Sequence, residues 1–94
     1  MKTIRLKRLV GSFAEDKDQA RDIRIKKITP VIKDKKEIIL DFNGVEGSTQ
    51  SFIHALISEL IREEGPGVLD LISFKNCNQN VKNVINIVVE YMQI

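Results

Sequence analysis

Apolar positions along this chain fall at two spacings, and the change from one to the other marks out its elements. Between Thr49 and Glu64, the residues Phe52, Ile53, Leu56, Ile57, Leu60 and Ile61 recur at i, i+1, i+4, i+5, i+8 and i+9. That spacing predicts an amphipathic helix with one continuous apolar stripe. Ser51, Ala55, Ser58, Glu59 and Arg62 fall outside the stripe, and Gly65-Pro66-Gly67 supplies a glycine and a proline to end the helix. Upstream, Ile38, Ile39 and Leu40 form a short run rich in β-branched side chains. This is the pattern of a central strand covered on both faces. Asp41, Asn43, Gly44 and Gly47 supply turn chemistry between strand and helix.

The flanking segments extend the pattern. Residues 2–10 alternate loosely, with Ile4 and Leu6 set against Arg5 and Lys7, and their charge predicts a strand near a sheet edge that stops at Gly11. Ser12-Phe13-Ala14-Glu15 has the form of a capping box, which starts a helix near Phe13 with Ala20, Ile23 and Ile28 inside it. Ile23-Arg24-Ile25 also alternates as a strand does, and Pro30 must break or kink anything helical. Thr29-Pro30 alternatively serves as N-cap and first residue of a short extra turn over Val31 and Ile32. After the polar link Lys33-Asp34-Lys35-Lys36 and the central segment, Val68 to Phe74 reads as a second buried strand and Lys75 to Asn78 as a turn. Asn78 or Asn80 caps a last helix with Val81, Val84, Ile85, Val88 and Met92 on one face. Its length and connection favour a helix over a strand from Ile85 to Tyr91. The order βαβαβα predicts an α/β fold with a mostly parallel sheet and right-handed crossovers.

Composition narrows the class. Ninety-four residues make one domain, residues 1–94, and 43% hydrophobic with 30% charged residues is a globular balance. With 5% aromatics and no Trp, the core is expected to be aliphatic. A net charge of +2 is too small to indicate nucleic-acid binding by itself. Basic residues do cluster at Lys2, Arg5, Lys7 and Arg8, and again at Arg21, Arg24, Lys26 and Lys27. Acidic residues interrupt the second group and no aromatic ladder accompanies either, so both read as solvated faces. The single cysteine, Cys77, excludes an internal disulfide, fits a reducing compartment and reads as a small near-core residue. No apolar run approaches bilayer length and the charged N-terminus lacks a signal-peptide core. The expectation is a soluble cytoplasmic protein with no membrane partner.

Candidate chemistry is sparse. Gly44 and Gly47 are three apart with no following Lys-Ser/Thr and no third glycine, so no phosphate loop and no cofactor is expected. Asp41 and Glu46 flank the turn, but a Mg²⁺ site needs further oxygen ligands. Asp41 therefore reads as a strand-end residue accepting turn N–H bonds, and no metal is expected. His54, the one histidine, lies three residues beyond Ser51 on the adjacent helical face. A Ser–His pair here has no oriented third member and no G-x-S-x-G elbow. His54 reads as solvent-facing, with no catalytic residue and no enzyme activity expected. At the start of the long helix, Ser48 or Thr49 serves as N-cap. Ser51 either solvates the first turn or accepts a phosphate that the helix dipole accommodates.

Ile39-Leu40-Asp41-Phe42-Asn43-Gly44-Val45, a short turn, and a helix entered through Thr49-Gln50-Ser51-Phe52 together resemble STAS domains, the anti-sigma factor antagonist fold. The D-F-x-G-V and T-x-S-F steps are most similar to the STAS-like domains of unknown function, and the element order extends the resemblance over most of the chain. In ungapped alignment Ser51 falls on the serine that STAS members have phosphorylated, while Thr49 replaces the family's Asp and Phe52 its Gly. The resemblance implies a non-enzymatic regulatory module of bacterial type. It also implies a protein partner, a GHKL-type ATP-binding anti-sigma or serine kinase. The contact implied lies on Asp41, Asn43, Gly47, Ser48, Thr49, Ser51 and His54, with Ser51 and Thr49 as phosphorylation candidates. Two alternatives stand beside it: a constitutive interaction subunit, and a nucleic-acid-binding module using the basic N-terminal strand. An exposed strand edge also leaves a homodimer open.

Overall fold

The computed structural model describes residues 2–92, and its centre is the run at Ile38–Leu40. That run lies in strand β3 (Ile38–Asp41), which pairs in parallel with β1 (Lys2–Arg5) on one side and β5 (Ile72–Lys75) on the other. Ile38 and Leu40 are fully buried. Ile39 between them is only half-buried, in one row with exposed Thr3 and Ser73, so the run is covered on one face and not, as its apolar pattern predicts, on both. Parallel neighbours need crossover connections, so helices must cover the sheet. The register closes with Arg5, Asp41 and Lys75 in one row at the carboxyl ends of the strands. The order β1-β3-β5 leaves β1 at an edge, as its charge predicts.

Helix α4 (Gln50–Glu64) buries all six residues of the predicted stripe. Gly65, at φ +83°, closes it by donating its N–H to the Ile61 carbonyl at 2.9 Å. Helix α5 (Gln79–Met92) is capped by Asn78, whose Oδ1 accepts the Val81 N–H at 2.9 Å. Val81, Ile85 and Val88 are buried along it, with Val84 and Met92 packed at the margin. The core is not purely aliphatic, because Phe42 and Phe52 are both fully buried within it. The Phe42 ring lies 6.4 Å from that of Phe74, centroid to centroid.

Four expectations are corrected. The N-terminal strand stops at Arg5, and residues Leu6–Val10 form a short helix, α1, closed by Gly11 at φ +81°, whose N–H donates to the Lys7 carbonyl at 2.9 Å. The glycine thus ends a helix and not the strand that the loose alternation predicts. Ser12 caps nothing, for Phe13–Ala14 is strand β2, paired in parallel with β4 (Gly47–Ser48). Helix α2 (Lys17–Ile23) starts instead at Asp16, whose carboxylate accepts the N–H groups of Asp18 and Gln19 at 2.8 and 3.3 Å. The short extra turn over Val31 and Ile32 does form at Pro30, but Thr29 is its first residue and not its N-cap, which is Ile28. The turn over Arg24–Ile28 is widened to π geometry, and the Thr29 N–H reaches the Arg24 carbonyl before the chain continues as α3 (Thr29–Lys33). Widening relieves the clash between a proline ring and the preceding turn. Lastly, Pro66–Leu71 is a 3₁₀ turn and only Ile72–Lys75 is strand, since Gly65-Pro66 starts a new turn directly.

Phe42→Ala is expected to cost about 3–5 kcal/mol, the range for emptying a fully buried aromatic site. Phe13→Ala, at a ring 50% exposed, is expected to cost far less. Urea denaturation of the two variants beside wild type measures both, and equal losses would show that the strand end is not the core of the fold.

Candidate functional site

The residues nominated from sequence divide into three groups along the path from β3 to α4. At the strand end, Asp41 Oδ1 accepts the Asn43 N–H and the Asn76 side-chain N–H, each at 2.9 Å. The Asn76 amide, then the Asn43 N–H, and more weakly the Arg5 guanidinium hold this carboxyl below its ordinary value, against a small opposing effect of desolvation. Asp41 is thus the turn acceptor that the sequence implies. Among the described residues no group of three or more His, Cys, Asp or Glu side chains is placed to hold a metal ion.

The second group is built into the framework. The Phe13 ring covers Gly47, where an added Cβ would stand 2.8 Å from Phe13 Cε1 and push the ring aside. Ser48 Oγ donates to the Ala14 carbonyl at 3.0 Å, and the Thr49 N–H donates to the same carbonyl at 3.0 Å. Thr49 Oγ1 then accepts the Phe52 N–H at 3.1 Å, which makes Thr49 the N-cap of α4. Asn78 Nδ2 donates to the Glu46 carbonyl at 2.8 Å, tying the start of α5 to the same loop.

The third group faces outward. Ser51 is exposed on the first turn of α4, two residues past the cap Thr49. It lines a hollow of about 480 Å³ with His54, Lys17 from α2, and Ile87, Val88 and Tyr91 from α5. Ile87 and Tyr91 are 48% and 68% exposed, large for apolar groups on a helix otherwise facing the core. The structure therefore joins Ser51 and His54 in one surface but places Asp41 and Asn43 elsewhere. His54 is partly buried, which corrects its solvent-facing assignment, and its Nδ1 lies 3.3 Å from Ser58 Oγ. Ser58 itself is buried, although it lies outside the apolar stripe, because α4 packs against both α2 and α5 and its buried face is wider than one stripe. The hydrogen bond to His54 satisfies its hydroxyl. Ile87 and Tyr91 were not nominated from sequence. The signal was their i, i+4 spacing on the side of α5 away from its core stripe.

A family model described as "STAS-like domain of unknown function (DUF4325)" matches residues 19–82, from within α2 to the first turn of α5. The chain belongs to this family. The match contains β3, the β2–β4 partner strand β4, and the whole of α4, so the nominated residues all lie inside the STAS-like region. No curated protein and no solved structure gives a significant match. No helix among the described residues is long and apolar enough to cross a membrane. Cys77, partly buried against the core of this STAS-like domain, has its thiol pushed up by desolvation, with Lys82 opposing.

Two predictions separate framework from surface. Thr49→Ala is expected to lose about 1 kcal/mol of stability through the cap, while Ser51→Ala stays within about 0.5 kcal/mol of wild type. Thermal or urea denaturation decides, and equal effects would reassign the cap. The second concerns pH. Because the folded Asp41 carboxyl is held below 3.8, its contribution is present above that value and lost as pH falls through the lower folded one. The stability gap between wild type and Asp41→Ala is expected to hold from neutral pH to about the ordinary carboxyl value and then close. A gap that persists into strong acid would show that the ionised form is not what Asn43 and Asn76 favour.

Proposed function

We propose that this STAS-like domain is a non-enzymatic regulatory module. On this reading it binds a GHKL-type ATP-binding protein, of the anti-sigma or serine-kinase kind, through the start of α4, and phosphorylation of Ser51 releases that partner. The observation that carries the reading is the division of labour between hydroxyls. Thr49 caps the helix, leaving Ser51 exposed beside an open apolar surface. A phosphate at Ser51 adds about −1.5 to −2 charge near the positive end of the helix dipole, where the fold tolerates it. Lys17 on the same hollow offers a counter-charge. A partner that buries Ile87 and Tyr91 then meets a dianion at the edge of its footprint, and desolvating that charge expels it. The switch acts on binding and leaves the domain unchanged in shape.

Wild type, Ser51→Ala and Ser51→Asp serve as parallel baits, with retained ATP-binding proteins identified by mass spectrometry. A GHKL-type ATPase kept by the first two and bound about tenfold or more weakly by the Asp variant is the expected result, with unchanged circular dichroism throughout. Equal retention by all three overturns the switch and leaves a constitutive interaction subunit. Retention of no ATP-binding protein overturns the partner class. Phosphate on Ser51 in protein taken from its native cells is the independent requirement.

A further inference from the structure

Away from the Ser51 surface, cationic side chains converge beside the edge strand β1. Lys2, Arg5, Arg8 and Lys27 line a shallow cleft of about 380 Å³ together with Thr3 and Leu9, and no carboxylate lines it. The two ion pairs found among the described residues, Lys26–Asp22 and Arg62–Glu59, involve none of the four. Three elements bring them together: β1 carries Lys2 and Arg5, α1 carries Arg8, and the π turn carries Lys27. No residue of β3 lines the cleft, so it lies at the free edge of β1, whose outward backbone groups lack a strand partner. Charged residues on an edge strand often only prevent aggregation. That explanation covers Lys2 and Arg5 and leaves out Arg8 and Lys27, which stand on separate helical turns. Lys27 is half-buried and reaches the cleft from a widened turn of a kind that recurs at functional sites.

We propose that this cleft binds the sugar–phosphate backbone of single-stranded nucleic acid without sequence preference. Two guanidinium forks suit phosphate oxygens, which they bind bidentately. The lining has no aromatic ring on which a base could stack and no Asn or Gln to read a base edge. Contacts therefore stop at the backbone, which positions a strand and carries no sequence information. A flexible single strand can bend to bring successive phosphates to cations carried by a strand and two helical turns, which a stiff duplex cannot do. An acidic peptide added beside β1 gains little, since a four-residue edge offers few ladder bonds. The attraction here is charge, and a nucleic-acid strand carries one at every unit. The Ser51 surface plays no part in this binding.

The test is fluorescence anisotropy with a labelled DNA strand of about 16 nucleotides, titrated with the full chain at several salt concentrations. Dissociation constants of about 10⁻⁴–10⁻⁶ M are expected at physiological salt, tightening as salt falls. With four phosphates neutralised, log K is expected to fall against log salt with a slope of about −3. Lys2→Ala and Arg8→Ala each reduce the slope by about 0.7, and Lys82→Ala, an exposed cation on α5, leaves it unchanged. Lys2 and Arg8 are exposed, so both variants keep the wild-type circular dichroism spectrum. Absence of binding at low salt, or a slope indifferent to Lys2 and Arg8, overturns the proposal. Displacement of the strand by an equal concentration of polyglutamate overturns it in favour of an acidic-peptide site, and tighter binding of the matching duplex overturns the single-strand assignment.

Discussion

Everything in this domain depends on how strand β3 ends. A central parallel strand has neighbours on both sides and one face turned into the core, so its chain must leave the sheet at the carboxyl end without orphaning backbone groups. Phe42 does so by donating its N–H to the Lys75 carbonyl, while its ring fills the core. One residue earlier, Asp41 ties the Asn43 backbone and the Asn76 side chain to the same point. The exits of β3 and β5 are thereby locked together. Val45 N–H returns to the Phe42 carbonyl, Glu46 N–H reaches Ser12, and the ribbon β2–β4 then delivers Thr49 to the start of α4. Each step is a short, polar, non-helical connection, and each sets the position of the next.

That chain of constraints explains why neighbouring hydroxyls have different chemistry. Ser48 and Thr49 are held by the Ala14 carbonyl on one side and by the first turn of α4 on the other. Modifying either would disturb both the ribbon and the cap. Ser51 is past the last anchoring bond, so its hydroxyl can change without moving the backbone. Asp41 is equally polar and nearby in sequence, yet its Oδ1 is committed to the turn and it does not line the hollow of Ser51. Position along this path, more than residue type, separates structural polar groups from available ones.

The parts of the fold visible in the sequence are those whose determinants are local. The stripe of α4, its Gly65 stop and the Asn78 cap each depend on contacts within about four residues, the range over which helical periodicity and capping act. The β-branched run at Ile38–Leu40 declares a central strand, but the run alone does not tell that the face carrying Ile39, with Thr3 and Ser73 beside it, stays largely open. What escaped notice depends on distant partners. Phe13–Ala14 becomes strand only because Gly47–Ser48 lies alongside, and Gly47 by itself has the chemistry of a turn. Two caps compete at Ser12 and Asp16, and the ribbon removes the first from contention. Ser58 is buried because α2 and α5 flank α4 together, which a single-helix pattern does not express. Of the nominated site, Ser51 and His54 were legible from helix position, whereas Ile87, Tyr91 and Lys17 join them only through tertiary packing.

The same reasoning applies to the N-terminal cations. In sequence Lys2, Arg5 and Arg8 look like solvated positions on one long strand, and Lys27 belongs to a group diluted by acids. Two departures from regular structure bring them together: β1 converts to α1 after Arg5, and the helix widens ahead of Pro30. The fold accounts for the turns themselves, since Pro30 calls for the widening and each turn buries a core residue, Leu6 or Ile28. It does not account for the cations gathered on their outer sides. Both turns cost backbone regularity, and both concentrate like charges whose mutual repulsion opposes folding. The cleft shares no lining residue with the Ser51 hollow. Like charges gathered without carboxylate partners, at a place remote from the Ser51 surface, are best explained by a ligand of opposite charge.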